Sequence, residues 1–99
     1  MNAGKEPFTI VFVPKAEREI RALPPANART VLQKIQIRLS TDPFKRSKTR
    51  IKRLVGLNPP VYRLRVGDYR AYYRIDAPHV VILAVLNKKD SERWVKRGG

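Results

Sequence analysis

Cysteine is missing from all 99 residues, which removes disulfides, thiolate nucleophiles and cysteine-based zinc sites together. A secreted scaffold of this size would usually need such staples. Histidine is almost as scarce. His79 is the single one, so two-histidine ribonuclease chemistry is excluded by count and no partner stands at metal-ligand spacing. The eight carboxylates (Glu6, Glu17, Glu19, Asp42, Asp68, Asp76, Asp90 and Glu92) are scattered, and Glu17 and Glu19, two apart on a helix, diverge rather than converge. No metal site and no cofactor is therefore expected. Long apolar runs are lacking too. Nothing approaches the roughly 20 residues that a bilayer span needs, and the start of the chain has no signal-peptide pattern. The expectation is a cytoplasmic protein without a membrane partner.

What the chain has in excess is positive charge. Twenty-two Lys and Arg against the eight acids give a formal charge of +14, far beyond what solubility requires, and the cations cluster at 45–53 and 63–74. A polyanionic partner is the natural implication. The length suits one domain spanning 1–99, which buries roughly 65% of its unfolded surface. Residues 1–7 and 98–99 are expected to be flexible.

Phe8–Val13 is a β-branched and aromatic run that reads as a largely buried first strand. Pro14 suits a first helical turn, and Ala16, Ile20 and Leu23 recur at helical spacing up to Pro24-Pro25. A second helix is predicted over 26–39, where Ala28, Val31, Leu32, Ile35 and Leu39 form one stripe. Two helices joined at a proline pair read as a helical hairpin on one sheet face. Residues 44–53 then form a basic connector, with Ile51 and Leu54 tucked inward. Strands over 61–66, 69–75 and 79–86, separated by Gly67-Asp68 and Asp76-Ala77-Pro78, make an antiparallel meander with the first strand added at an edge. A short helix from Asp90, anchored by Trp94, closes the chain. The fold class is thus α+β: a small antiparallel or mixed four-stranded sheet, an N-terminal helical hairpin on one face and a short C-terminal helix.

The densest signal lies in the hairpin Tyr62–Ile75, where four arginines and four tyrosines alternate at strand spacing around one turn. Alternation puts Arg63 and Arg65 on one face with Arg70, Tyr72 and Arg74, and puts Tyr62, Leu64, Val66, Tyr69 and Tyr73 on the other. Residues two apart on a strand are about 6.6–6.8 Å apart, so Arg63 and Arg65 can each hold a different phosphate, and Arg70 can complete the grip. The guanidinium fork suits bidentate phosphate contacts and stabilises charge that builds on a phosphorane. Tyr72 is the tyrosine best placed to stack on a base. Lys88 and Lys89, just past the last strand, are within reach of the same face and suit proton transfer or phosphate contact. A row of merely solvated arginines remains the structural alternative.

The residues Ile51-Lys52-Arg53-Leu54-Val55-Gly56, followed by Tyr62–Arg70 and Tyr73-Arg74-Ile75, resemble the signature of the RelE/ParE toxin superfamily, the small basic members of toxin–antitoxin pairs. The resemblance runs over about residues 8–96. Its RelE branch implies a ribosome-dependent, metal-independent mRNA endonuclease that cleaves by attack of the 2′-hydroxyl on the adjacent phosphate. It implies catalytic roles for Arg63, Arg65, Arg70 and Lys89, and RNA contacts by Lys52, Arg53, Tyr72, Arg74, Lys88 and Trp94. The implied partners are mRNA on the ribosome, with 16S rRNA contacts, and a cognate acidic RelB-like antitoxin. That branch often has lysines where this chain has Arg63 and Arg65. Arginine is a reluctant base, so the resemblance here implies catalysis by positioning and electrostatics. A ParE-like inhibitor of DNA gyrase and a non-catalytic RNA- or ribosome-binding module are the alternatives.

Overall fold

A computed structural model describes residues 7–44, 50–54 and 56–96. Residues 45–49 of the basic connector, Val55 of the signature and most of the expected flexible ends lie outside that description. The elements run β1 (Thr9–Phe12), α1 (Pro14–Arg21), α2 (Pro25–Leu39), β2 (Ile51–Arg53), β3 (Tyr62–Val66), β4 (Tyr69–Asp76), β5 (His79–Asn87) and α3 (Lys88–Lys96). They build an α+β fold around one mixed sheet of order β1-β5-β4-β3-β2, with β1 parallel to β5 and every other pairing antiparallel. No helix among the described residues is long and apolar enough to cross a membrane.

The helical hairpin forms where the sequence pattern places it. Pro14 and Pro25 occupy first-turn positions whose amides need no helical partner. Glu17 in the first turn of α1, with Arg18 and Arg21 in its last, matches the helix dipole. Ala16 and Ile20 of α1 and Val31, Ile35 and Leu39 of α2 are buried against one sheet face with Leu64, Ala71, Tyr73, Val80 and Ile82. Leu32 departs from the expected stripe. It is 40% exposed and lines a shallow groove with Phe12, Ile20 and Arg21, at the margin of the apolar face rather than beneath it. Two tyrosines of this face are tied in by their hydroxyls: Tyr73 donates to the Pro43 carbonyl at 2.8 Å, and Tyr69 accepts from Asn27 Nδ2 at 2.9 Å.

Two expectations need correction. The sheet has five strands rather than four, because Ile51–Arg53 pairs with β3. Ile51 stands opposite Leu64 and is buried, and backbone bonds from Arg65 to Arg50 and from Leu54 to Val61 extend the ladder. One apolar residue in a run of cations is too little for an alternation to be seen. β1 is also not largely buried: Thr9 and Val11 face outward while Ile10 and Phe12 pack inward, since an edge strand here has helices on one side only.

The sheet's second face carries a smaller core of its own. Val61, Tyr72 and Ala84 are buried there, with Leu54, Leu57, Leu83, Leu86 and Trp94 packed around them. A bulge enlarges it. Tyr72 pairs with Ala84 and Tyr73 with Ile82, so Leu83 is an extra residue in β5. α3 closes over this patch, started by an N-cap in which Asn87 Oδ1 accepts from the Asp90 amide at 2.8 Å.

Candidate functional site

The β3–β4 hairpin turns at Gly67, whose φ of +56° is the only left-handed value in the two-residue turn, the geometry of a type II′ loop with glycine first. This tight turn fixes the register and hence the site. Arg65 stands directly opposite Arg70, and Arg63 opposite Tyr72. Lys52 on β2 stands opposite Arg63, so one row of the second face reads Lys52, Arg63, Tyr72, Ala84. Opposed residues on a strand pair hold their Cβ atoms about 4.5–5.5 Å apart. The Arg65–Arg70 contact is therefore a close pair of like charges.

Arg70 is 7% exposed and is held by its own turn, one guanidinium nitrogen donating to the Gly67 and Tyr69 carbonyls at 3.0 Å each. Burial, then Arg63 and Arg65, pull its pKa below the ordinary arginine value, while Tyr72 and Asp68 act the other way. It remains a cation at neutral pH all the same. Arg63 is half-buried, and its Nε is buried with no hydrogen-bond partner among the described residues. Arg65 is exposed. The ion pairs among the described residues join Lys15 to Glu19, Arg21 to Glu17 and Arg93 to Asp90, and none of them neutralises this cluster.

The turn also gathers the lysines. The Lys88 amide donates to the Asp68 carbonyl at 3.0 Å, which pins the start of α3 beside the β3–β4 turn and brings exposed Lys88 and Lys89 to the end of the face where Arg65 and Arg70 lie. Arg63, Arg65, Arg70, Lys88, Lys89 and Lys52 thus share one region. Arg53 does not. It pairs with Tyr62 and so projects to the opposite side from Lys52, a consequence of period-2 alternation on a short strand. Arg74 lies on the correct face but at its far end, opposite Val81.

The stacking role expected of Tyr72 fails for a physical reason. Its ring is 1% exposed, its hydroxyl is hydrogen-bonded to buried Ser91, and Trp94 covers it with ring centroids 4.4 Å apart. Trp94 itself is half-buried in this contact. The two aromatics expected to meet RNA meet each other instead. Ser91 carries no sequence signal beyond a small polar residue one helical turn before Val95, and its partner is 19 residues away.

Chemically, the cluster can hold and polarise a phosphate group through fixed cations. It offers no imidazole, and among the described residues no group of three or more His, Cys, Asp or Glu could hold a metal ion.

With that geometry in place, similarity to other proteins is informative. A family model described as the ParE toxin of the type II toxin–antitoxin system parDE matches residues 10–92. The chain is 35% identical over 89 residues to Toxin RelG of Mycobacterium tuberculosis, covering 88% of this chain and 98% of that protein. Its fold is similar to a chain in the crystal structure of the toxin–antitoxin complex RelBE2 from M. tuberculosis, with a TM-score of 0.70, 31% identity and coverage of 84% and 93% of the two chains. A chain of the archaeal RelE–RelB complex from Pyrococcus horikoshii OT3 is similar at a TM-score of 0.68 and 26% identity, with 82% and 94% covered.

Proposed function

This chain belongs to the RelE/ParE superfamily and is a toxin of a type II toxin–antitoxin system, and from that premise we propose that it is a ribosome-dependent, metal-independent mRNA endonuclease. The observation that carries the reading is the cluster of Arg63, Arg65 and Arg70, like charges crowded across a strand pair, none of them joined by an ion pair to a carboxylate among the described residues. Such a cluster is electrostatically unfavourable until an anion arrives, and a phosphodiester supplies one.

In the proposed reaction the 2′-oxygen attacks the adjacent phosphorus and the bond to the 5′-oxygen breaks, giving a 2′,3′-cyclic phosphate and a 5′-hydroxyl. The proton lost by the 2′-hydroxyl is balanced by the one the 5′-oxygen gains. Arg65 and Arg63 hold the equatorial oxygens as charge builds, and Arg70, fixed by two carbonyls, needs no reorganisation to join them. Lys89, with Lys88 beside it, delivers the proton to the leaving oxygen. The guanidinium groups do not act as bases, so rate enhancement comes from alignment and charge stabilisation, with the ribosome completing the site.

Induced expression followed by 5′-end mapping of cellular mRNA is expected to reveal new, in-frame ends. Arg65→Ala and Arg70→Ala should each lower their yield by about 10²–10³-fold, the scale for removing one oxyanion donor; unchanged ends in both variants overturn the assignment. The cationic face further supports neutralisation by an acidic RelB-like antitoxin that folds over it. Co-expression of the adjacent small open reading frame should restore growth, and a neighbour that neither binds nor rescues counts against this part. The ParE description of the matching family favours a second reading, a gyrase-directed toxin. That reading predicts inhibited DNA supercoiling and no new RNA ends.

A further inference from the structure

The second face of the sheet extends beyond the arginine cluster. Past Tyr72, β4 presents Arg74 on the same side, four residues from Arg70 and therefore about 13 Å along the strand. Beside it the loop between β2 and β3 stands near the bulge at Leu83 in the middle of β5, and between them lies a cleft of about 470 Å3. That volume falls within the roughly 300–1,000 Å3 typical of ligand sites. Leu57, Pro59, Val61 and Leu83 form its apolar walls, while Asn58 and Arg74 are the polar groups that line it. The β5 bulge is what supplies Leu83 to this wall.

We propose that this cleft is a nucleobase subsite: one unstacked base of a single-stranded RNA inserts between the apolar walls, the Asn58 amide reads its edge, and Arg74 holds the neighbouring phosphate. The inference rests on the reading that an RNA strand lies along the second face. Three observations lead to it. The walls are apolar with few polar groups, the arrangement by which proteins bury a splayed base and read its edge, and an amide offers both a donor and an acceptor for that edge. Arg74 is half-buried, and no carboxylate among the described residues pairs with it, so its charge is available to a phosphate. Finally, Tyr72 is sealed beneath half-buried Trp94, so the row between the two cationic ends offers no open tyrosine ring and no cleft for a base. A strand whose scissile phosphate sits at Arg65 and Arg70 meets its next place to bury a base at this cleft.

The test is a double-mutant cycle between cleft and base. Fluorescence-anisotropy titrations would use single-stranded RNA about eight nucleotides long, within the roughly 4–16 that such sites span, with an abasic residue placed at each position in turn. At one position the missing base should weaken binding to the unmodified protein by about 5- to 150-fold, the range for losing one stacked base. Leu83→Trp, which fills the cleft, should abolish most of that penalty. Asn58→Ala should flatten base preference at the same position, and Arg74→Ala should weaken binding several-fold; neither removes a core side chain, so both keep the test decisive if the tryptophan variant misfolds. Equal abasic penalties in the unmodified protein and every variant overturn the subsite. If Arg65→Ala still loses mRNA cleavage in that case, the endonuclease reading survives alone. A coupled abasic position with no mRNA ends in cells keeps the subsite and removes the endonuclease. Cleft variants that bind RNA normally but release the antitoxin would assign the cleft to the antitoxin and overturn the proposal.

Discussion

The charge of an arginine residue that is 7% exposed and faces a second arginine across the strand pair is opposed both by lost hydration and by a like charge. Two backbone carbonyls offset part of that for Arg70, and an anion bound over the cluster would offset the rest. On the helical face, Tyr73 has the opposite character, a phenol that is 0% exposed. Burial first, then Tyr62 and Asp42, raise its pKa above the usual 10.0. Above that pH the unfolded chain loses this proton while the folded chain keeps it, so the stability that Tyr73 contributes is complete below about pH 10 and declines as pH rises beyond it. Denaturant unfolding at a series of pH values from neutral into this range should show a steeper decline for the unmodified protein than for Tyr73→Phe; parallel curves would contradict the assignment. Spacing alone placed Arg63, Arg65 and Arg70 on one face, because a two-residue turn leaves the register no freedom. It could not reveal that Tyr72 is sealed, since the covering Trp94 lies 22 positions further on and reaches it only through the packing of α3.

At the scale of elements, β5 is the longest strand and the one with the most demands on it. Its first half pairs with β1 as far as Ile82, after which the edge would expose a row of unpaired amides. α1 covers it: Glu19 Oε1 accepts from the Val85 amide at 2.9 Å. Glu19→Ala leaves that buried amide unsatisfied and should cost about 1–3 kcal/mol, seen as a fall in Tm of several degrees, whereas Glu19→Gln retains an acceptor and should recover most of it. Asn87→Ala removes the N-cap of α3 and should cost about 1 kcal/mol in the same assay. These long-range ties explain which elements were legible. Both helices of the hairpin announce themselves through periodicity and prolines, and β3 and β4 through strict alternation. β2 is three residues with one apolar side chain, and the bulge at Leu83 sits in an unbroken apolar run, Val80–Leu86, where no alternation exists to be interrupted. Arg53 was misplaced for the same reason, because its face is set by a register that only the paired strand defines.

Across the whole molecule, the charge of +14 is arranged so that the helical hairpin covers one side of the sheet, while the other carries Lys52, Arg63, Arg65, Arg70 and Arg74 around the patch that α3 closes. RNA binding should accordingly be salt-sensitive. Roughly five phosphate contacts would give about a 100-fold loss in affinity between 50 and 200 mM salt, and Arg65→Ala should make the log–log slope shallower by about 0.7; a flat salt dependence would argue against a phosphate-tracking face. The parallel pairing of β1 with β5 has a further consequence, for synthesis. Thr9 is partnered by His79, so the sheet cannot close around its first strand until nearly the whole chain has left the ribosome, and non-local pairing of this kind sets the pace of folding. Truncated translation products would lack β5, and with it both the partner of β1 and the support for α3 and its lysines. The cationic face is therefore complete only after synthesis, once the last strand has emerged and taken its place between β1 and β4.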